Sequence, residues 1–229
     1  MTFRQGALDA LSLPGLTLCC ANVGIGVLAH SLNVPAFYSV MTTVLGFSLS
    51  GQAVIITGAV AGTALLPLII SATAANIRLL PLSASVCAAS RTQSSLKNII
   101  LAGVTAATAW SIIVPKLRTV PPDCNINDYA LGVASTLWLG SILSTGLGWL
   151  CYGYIPLIAG YSLAFLTAIY FCCMMIGESV RSSANATAAI MGTIFTIPLS
   201  QLMGAWGLVV VGILGAASAL FVMKWRDRT

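Results

Sequence analysis

Charge is what this sequence has least of. Only 7% of its 229 residues are Asp, Glu, Lys or Arg, whereas soluble domains carry about a quarter. So few charged side chains cannot cover a water-facing surface, and a soluble globular fold is excluded. Long polar stretches are missing too. The longest connection between apolar runs spans 116–129 and holds Pro121, Pro122, Asp123 and Asn125, leaving no room for an attached hydrophilic domain. The sequence has no phosphate-cradling GxxxxGK loop, no HExxH and no CxxC spacing. Its single histidine is His30. No metal and no cofactor is expected.

The five acidic residues are Asp9, Asp123, Asp128, Glu178 and Asp227, and none stands squarely inside an apolar run. Without paired carboxylates or a nucleophile beside a base, an enzyme is disfavoured. Asp128 and Glu178, which flank apolar segments, are the best candidates for coupling to an ion. The formal charge of +5 comes from ten basic residues scattered between apolar runs. They form no stripe for nucleic acid and read as topology signals. Seven cysteines, an odd number without metal spacing, are expected to behave as small hydrophobes.

What fills the chain is apolar side chain, 58% of residues, with a mean hydropathy of +0.98. Lipid is the solvent such a chain needs, and lipid tolerates only backbones that satisfy their own hydrogen bonds. The apolar runs are continuous rather than alternating with the period of two that barrel strands show, so they predict helices. Eight hydrophobic segments are expected, at 12–30, 36–60, 64–89, 97–115, 130–150, 154–177, 187–203 and 206–223. The last two are short and suit a re-entrant pair or a tilted hairpin. The expected fold is an all-α integral membrane protein. It would be a polytopic bundle of about seven or eight transmembrane or re-entrant helices, forming one transport domain over 1–229. The first segment is expected to be a membrane helix rather than a cleaved leader, because it reaches Leu28, Ala29 and His30 without a small-x-small site.

If all eight segments span, one side collects Arg4, Lys116, Arg118, Arg181, Lys224, Arg226 and Arg228, and the other Arg91 and Lys97. The positive-inside bias then places both termini in the cytoplasm. A faint internal echo runs through the chain: Asp9, Gly24, Gly26 and Pro35 find counterparts in Asp128, Gly146, Gly148 and Pro156. Duplication, common in transporters, produces such an echo; so does chance, since glycine and proline are frequent in membrane helices.

Small residues recur at four-residue spacing at Gly58 and Gly62, and at Gly140, Ser144 and Gly148. Such faces let helix backbones approach closely, within the chain or against a partner subunit. Arg78 stands out among polar residues because it interrupts the third apolar segment. A guanidinium at the bilayer centre costs at least about 2.5–3.5 kcal/mol and usually faces a cavity, carbonyls or an anion. Its bland alternative is snorkelling to the interface before Pro81. Gln52, Asn76 and Asn22 are uncharged polar residues at membrane depth, suited to a cavity or to bonds between helices. His30, at the end of segment one, suits an interface better than a proton relay.

Two motifs carry a family resemblance: Ser48-Leu49-Ser50-Gly51-Gln52, and Asn76-Ile77-Arg78 some two dozen residues on. With Asp9 before the first helix, Trp138-Leu139-Gly140 after the central connection and Ile155-Pro156 leading to Phe165, the chain resembles the AzlC family. These are the large permease subunits of bacterial branched-chain amino acid exporters. The sequence departs from the family pattern at Leu79, where a histidine often stands, and around 113–118, where an acidic cluster is expected. The resemblance implies a multi-pass protein of the bacterial inner membrane that exports valine, leucine, isoleucine or similar amino acids. It also implies a small hydrophobic AzlD-like partner. Arg78 is assigned to the substrate carboxylate, with Asn76, Gln52 and Gly51 at the same cavity. A permease for another small solute and a non-transporting assembly subunit are the alternatives.

Overall fold

The computed structural model describes residues 2–77, 79–90, 95–117, 127–181, 183–203 and 205–226. They form helices without a strand among them, arranged as two compact units, Met1–Thr167 and Ala168–Thr229.

The first unit opens with a short helix, α1 (Phe3–Asp9), closed at its start by a capping box between Thr2 and Gln5. After a turn, Pro14 sits in the first turn of α2 (Leu13–Ser31), where a missing N–H costs nothing. Nineteen residues at 1.5 Å each give about 28 Å, close to the thickness of the hydrocarbon layer. Of the helices that begin in the first unit, two more are at least as long: α9 (Asn127–Leu150) and α10 (Leu157–Arg181), the latter ending in the second unit.

Between α2 and α9 the expected segments are not continuous. Segment 36–60 is two helices, α3 (Ala36–Gly46) and α4 (Leu49–Val60), separated by Phe47 and Ser48. Segment 64–89 is α5 (Leu65–Asn76) and α6 (Leu79–Ser90), bent by 50°. Segment 97–115 is α7 (Ser95–Val104) and α8 (Ala107–Leu117). Hydropathy reports solubility in lipid, not helix continuity, so these interruptions are silent in an apolar profile. Among the described residues three helices are long and apolar enough to cross a membrane: Leu13–Ser31, Asn127–Leu150 and Leu157–Gly177. The bent pair Leu65–Asn76 with Leu79–Ala88 would make a fourth.

The core of the first unit is α2 laid against α9 in parallel. Residue numbers rise together along the contact: Gly15 meets Leu137, Asn22 bonds Ser141, Gly26 meets Thr145 and His30 bonds Trp149. Glycines set the distance. A Cβ on Gly26 would run into the Thr145 carbonyl, and one on Gly148 into the Val23 backbone. Lipid offers no hydrophobic drive between helices, so such close van der Waals contact is what holds them. Around this pair Leu18, Val86, Leu101, Ile113, Tyr129, Val133 and Leu137 form the buried apolar cluster.

The contacts are reciprocal at an offset of about 120 residues, as a duplicated unit with a two-fold axis along the helices would make them. Gly26 meets Thr145 while Gly148 meets Val23. Thr167 Oγ1 donates to the Thr17 carbonyl at 3.3 Å, and Trp138 Nε1 donates to the Val44 carbonyl at 3.2 Å. The echo of Gly24 and Gly26 in Gly146 and Gly148 therefore has a structural counterpart.

In the second unit, α11 (Ser183–Met203) and α12 (Ala205–Arg226) pack along each other. They extend segments 187–203 and 206–223 to 21 and 22 residues.

Candidate functional site

Two groups of polar residues meet where α3 gives way to α4. Ser48 is the N-cap of α4, its hydroxyl accepting from the Gly51 N–H at 3.5 Å. The turn after α4 is made by Gly62, with φ of +71°, a conformation that costs glycine nothing. The chain then returns antiparallel: Gly58 lies against Leu68, and Gly51 against Asn76. A Cβ on Gly51 would stand 2.5 Å from Asn76 Nδ2 and 2.8 Å from Oδ1. Glycine at 51 is what lets the Asn76 amide lie over the first turn of α4. Asn76 Oδ1 is buried and has no hydrogen-bond partner among the described residues. Helix α5 ends at this residue, and Arg78 lies outside the described residues.

The second group is a chain of hydrogen bonds at the middle of α2. Gln52 Oε1 accepts from Thr43 Oγ1 at 3.1 Å; Thr43 Oγ1 is 2.9 Å from Thr145 Oγ1. Thr145 Oγ1 is 2.9 Å from the Ser141 carbonyl and 3.4 Å from Asn22 Oδ1. Asn22 Nδ2 donates to Ser141 Oγ at 3.2 Å and to the Leu18 carbonyl at 2.9 Å. All five residues are at most 1% exposed. The Thr43 to Gln52 bond also fixes the shape of segment 36–60. In an unbroken helix nine residues rise about 13 Å, beyond the reach of the two side chains, so the chain must turn back at Phe47 and Ser48.

The structure brings Gly51, Gln52 and Asn76 to the start of α4, and ties Gln52 through Thr43 and Thr145 to Asn22. Asp128 is exposed on the first turn of α9, at one end of the α2–α9 pair. Glu178 lies on α10 in the second unit, with its side chain outside the described residues. Gly140 and Gly148 face α2, with Ser144 buried on the same helix; a Cβ on Gly140 would be 3.2 Å from Cys19 Sγ. Gly58 packs within the α4–α5 hairpin and Gly62 makes its turn. Thr43, Ser141 and Thr145 were not singled out in the sequence, because a hydroxyl in a helix can bond its own preceding turn and so gives no signal. The position of Thr43 nine residues before Gln52, across Gly46, was the available hint.

Each end of the α2–α9 pair has its own fastening. At the first, Asp9 Oδ2 accepts from Lys116 Nζ at 3.2 Å and from the Tyr129 hydroxyl at 2.9 Å, which joins α1, α8 and α9. Both charged side chains are about two-fifths exposed, so this pair is worth at most about 1 kcal/mol. At the second, His30 Nδ1 donates to the Trp149 carbonyl at 2.8 Å, and the ring stacks on Tyr152 at 4.4 Å. With that nitrogen committed and its faces covered, His30 clasps the pair.

The family model described as AzlC protein matches residues 15–155. The match takes in α2 to α9, hence Asn22, Thr43, Gln52, Asn76, Ser141 and Thr145. No curated protein and no solved structure matches the chain.

Proposed function

The chain belongs to the AzlC protein family, whose function lies in membrane transport, and on that premise we propose that it exports branched-chain or similar amino acids. It is the permease subunit of a secondary transporter in the bacterial inner membrane, not an enzyme. Both termini are cytoplasmic, and a small hydrophobic AzlD-like membrane protein is its partner. Valine, leucine and isoleucine are the expected cargo.

The observation that most supports this reading is the placement of Asn76 over Gly51 at the start of α4, within the matched residues. A broken membrane helix exposes the partial positive charge of its N-terminus, which favours a carboxylate. Asn76 offers an amide beside that turn, and Arg78, two residues on, supplies a guanidinium suited to a carboxylate. Apolar residues of the α4–α5 hairpin accept an aliphatic side chain.

Uptake of labelled valine into inverted membrane vesicles tests the proposal. Unlabelled leucine and isoleucine should compete, and Arg78→Ala should abolish uptake while inserting normally. Absence of valine uptake, with the chain shown to be in the membrane, would move the assignment to a permease for another solute. Full-rate transport by Arg78→Ala would remove the carboxylate role.

A further inference from the structure

We propose that α3–α4 and α7–α8 are re-entrant hairpins that enter the membrane from opposite faces and stop halfway, leaving α5–α6 as the one crossing between α2 and α9. This topology stands whether or not the cargo is an amino acid.

The parallel pair α2–α9 gives a depth scale, with Asp9 and Tyr129 at one end and His30 and Trp149 at the other. Helix α3 starts at the His30 end, where the Val34 carbonyl accepts from Trp149 Nε1 at 2.8 Å. It stops near the middle of α9, where the Val44 carbonyl accepts from Trp138 Nε1 at 3.2 Å. The Thr43 to Gln52 bond turns the chain back, and Ile56 of α4 packs with Ile25 and Ala29 of α2 beside Trp149. Both limbs therefore open toward the His30 end, and Phe47 and Ser48 form the tip.

Helix α5 returns from Gly62 to Asn76 beside Gly51, and α6 carries on after a bend of 50° rather than reversing. Val86 of α6 joins the buried cluster that holds Tyr129, so α6 runs toward the Asp9 end. Helix α8 packs on α6, with Trp110 Nε1 donating to Ser85 Oγ at 3.0 Å, and finishes at the same end, where Lys116 pairs with Asp9. A chain that arrives with α6 and leaves with α8 at one face enters and returns in between. Thr105 and Ala106 form this second tip.

Length, burial and charge agree. Helices α3, α4, α7 and α8 have 11, 12, 10 and 11 residues, about 15–18 Å each, against a hydrocarbon layer of about 30 Å. Non-helical backbone at that depth is tolerated only within protein or along a water-filled cavity. Phe47 is 8% exposed, Thr105 4% and Ala106 7%. Phe47 and Ala106 belong to one apolar cluster, which seals the two tips from each other. Eight full spans would put Arg91 and Lys97 opposite the other basic residues. Two re-entrant hairpins bring them to the face of Arg4, Lys116 and Arg118, and the connections 32–35, 61–64 and 151–156 at the other face carry no charge. The positive-inside bias is then complete within 1–167 apart from Arg78, which stands between α5 and α6 in the sequence.

Single cysteines in a full-length chain whose native cysteines are replaced by serine separate the two topologies, because they predict opposite faces at two positions. Thr63→Cys, in the exposed turn between α4 and α5, should react with an impermeant maleimide in intact cells as strongly as Gly153→Cys. Arg91→Cys should react only in inverted vesicles, as Arg4→Cys does. Membrane insertion of each variant is verified by immunoblot, and reaction in detergent sets full labelling. Thr63→Cys reacting only in inverted vesicles, Arg91→Cys reacting in intact cells, or either thiol silent from both faces would overturn the proposal. Valine transport plays no part in the readout, so failure of the cargo assignment leaves this result untouched.

Discussion

At the scale of single residues, the site is a matter of which atoms have room. Gly51 and Gly148 are both crowded, but by different things: Gly51 by the amide of Asn76, and Gly148 by the backbone of Val23. Gly51→Ala should therefore displace Asn76 and reduce export while the protein still inserts. Gly148→Ala should force α2 from α9, with overpacking worth about 1–3 kcal/mol, and lower the folded yield. Gly146 makes the control, since a Cβ there has Val40 at an ordinary 4.0 Å. Gly146→Ala should match the native chain in fluorescence-detected size exclusion and in efflux. Thr145→Val, which removes the hydroxyl joining α2, α3 and α9, is expected to cut efflux at least tenfold. Gln52, Asn76, Asn22 and Gly51 were legible in the sequence because an amide, or a glycine beside one, is conspicuous among apolar neighbours. Thr43 and Thr145 were not, since neither composition nor hydropathy separates a threonine that bonds its own helix from one that reaches across to another.

Among the elements, the informative ones are those that stop early. The sequence contains every apolar segment that becomes a helix, yet it offers little to mark where segments 36–60, 64–89 and 97–115 break. Gly46, Phe47 and Ser48 look like ordinary membrane-helix residues, and the break becomes visible only through the Thr43 to Gln52 bond. Pro81 suggested a helix stop, whereas the structure breaks earlier, with α5 ending at Asn76 and α6 carrying Pro81 in its first turn. The register of α2 on α9 can be tested directly. A Cβ on Gly140 lies 3.2 Å from Cys19 Sγ, near the Cβ-to-sulfur distance of a disulfide. In a chain whose other cysteines are replaced, Gly140→Cys should form a disulfide with Cys19 under mild oxidation, detected as loss of two thiols by mass spectrometry. Two thiols that remain reactive would contradict the parallel register.

For the whole molecule, parallel packing of α2 and α9 constrains topology. A chain that leaves α2 at one membrane face and enters α9 from the other crosses an odd number of times between them. The ends are physically distinct as well: Asp9, Lys116 and Tyr129 mark one, His30, Trp149 and Tyr152 the other. Cysteines placed at Arg4 and at exposed Gly153 should label from opposite faces, the latter with an impermeant reagent applied to intact cells. The internal echo was weak in sequence because only an aspartate, two glycines and a proline persist. Helix contact needs small residues at fixed places and leaves the lipid-facing positions free to diverge.

The most direct measurement is valine efflux from cells preloaded with a valine-containing dipeptide. A strain deleted for this chain is compared with strains restored by the chain alone, by the chain with its small partner, and by the Thr145→Val chain with that partner. The account predicts faster efflux on restoration, greatest with the partner present, and near-deletion efflux with Thr145→Val despite normal insertion. Unchanged efflux with the native chain and partner, both shown to be in the membrane, would contradict it.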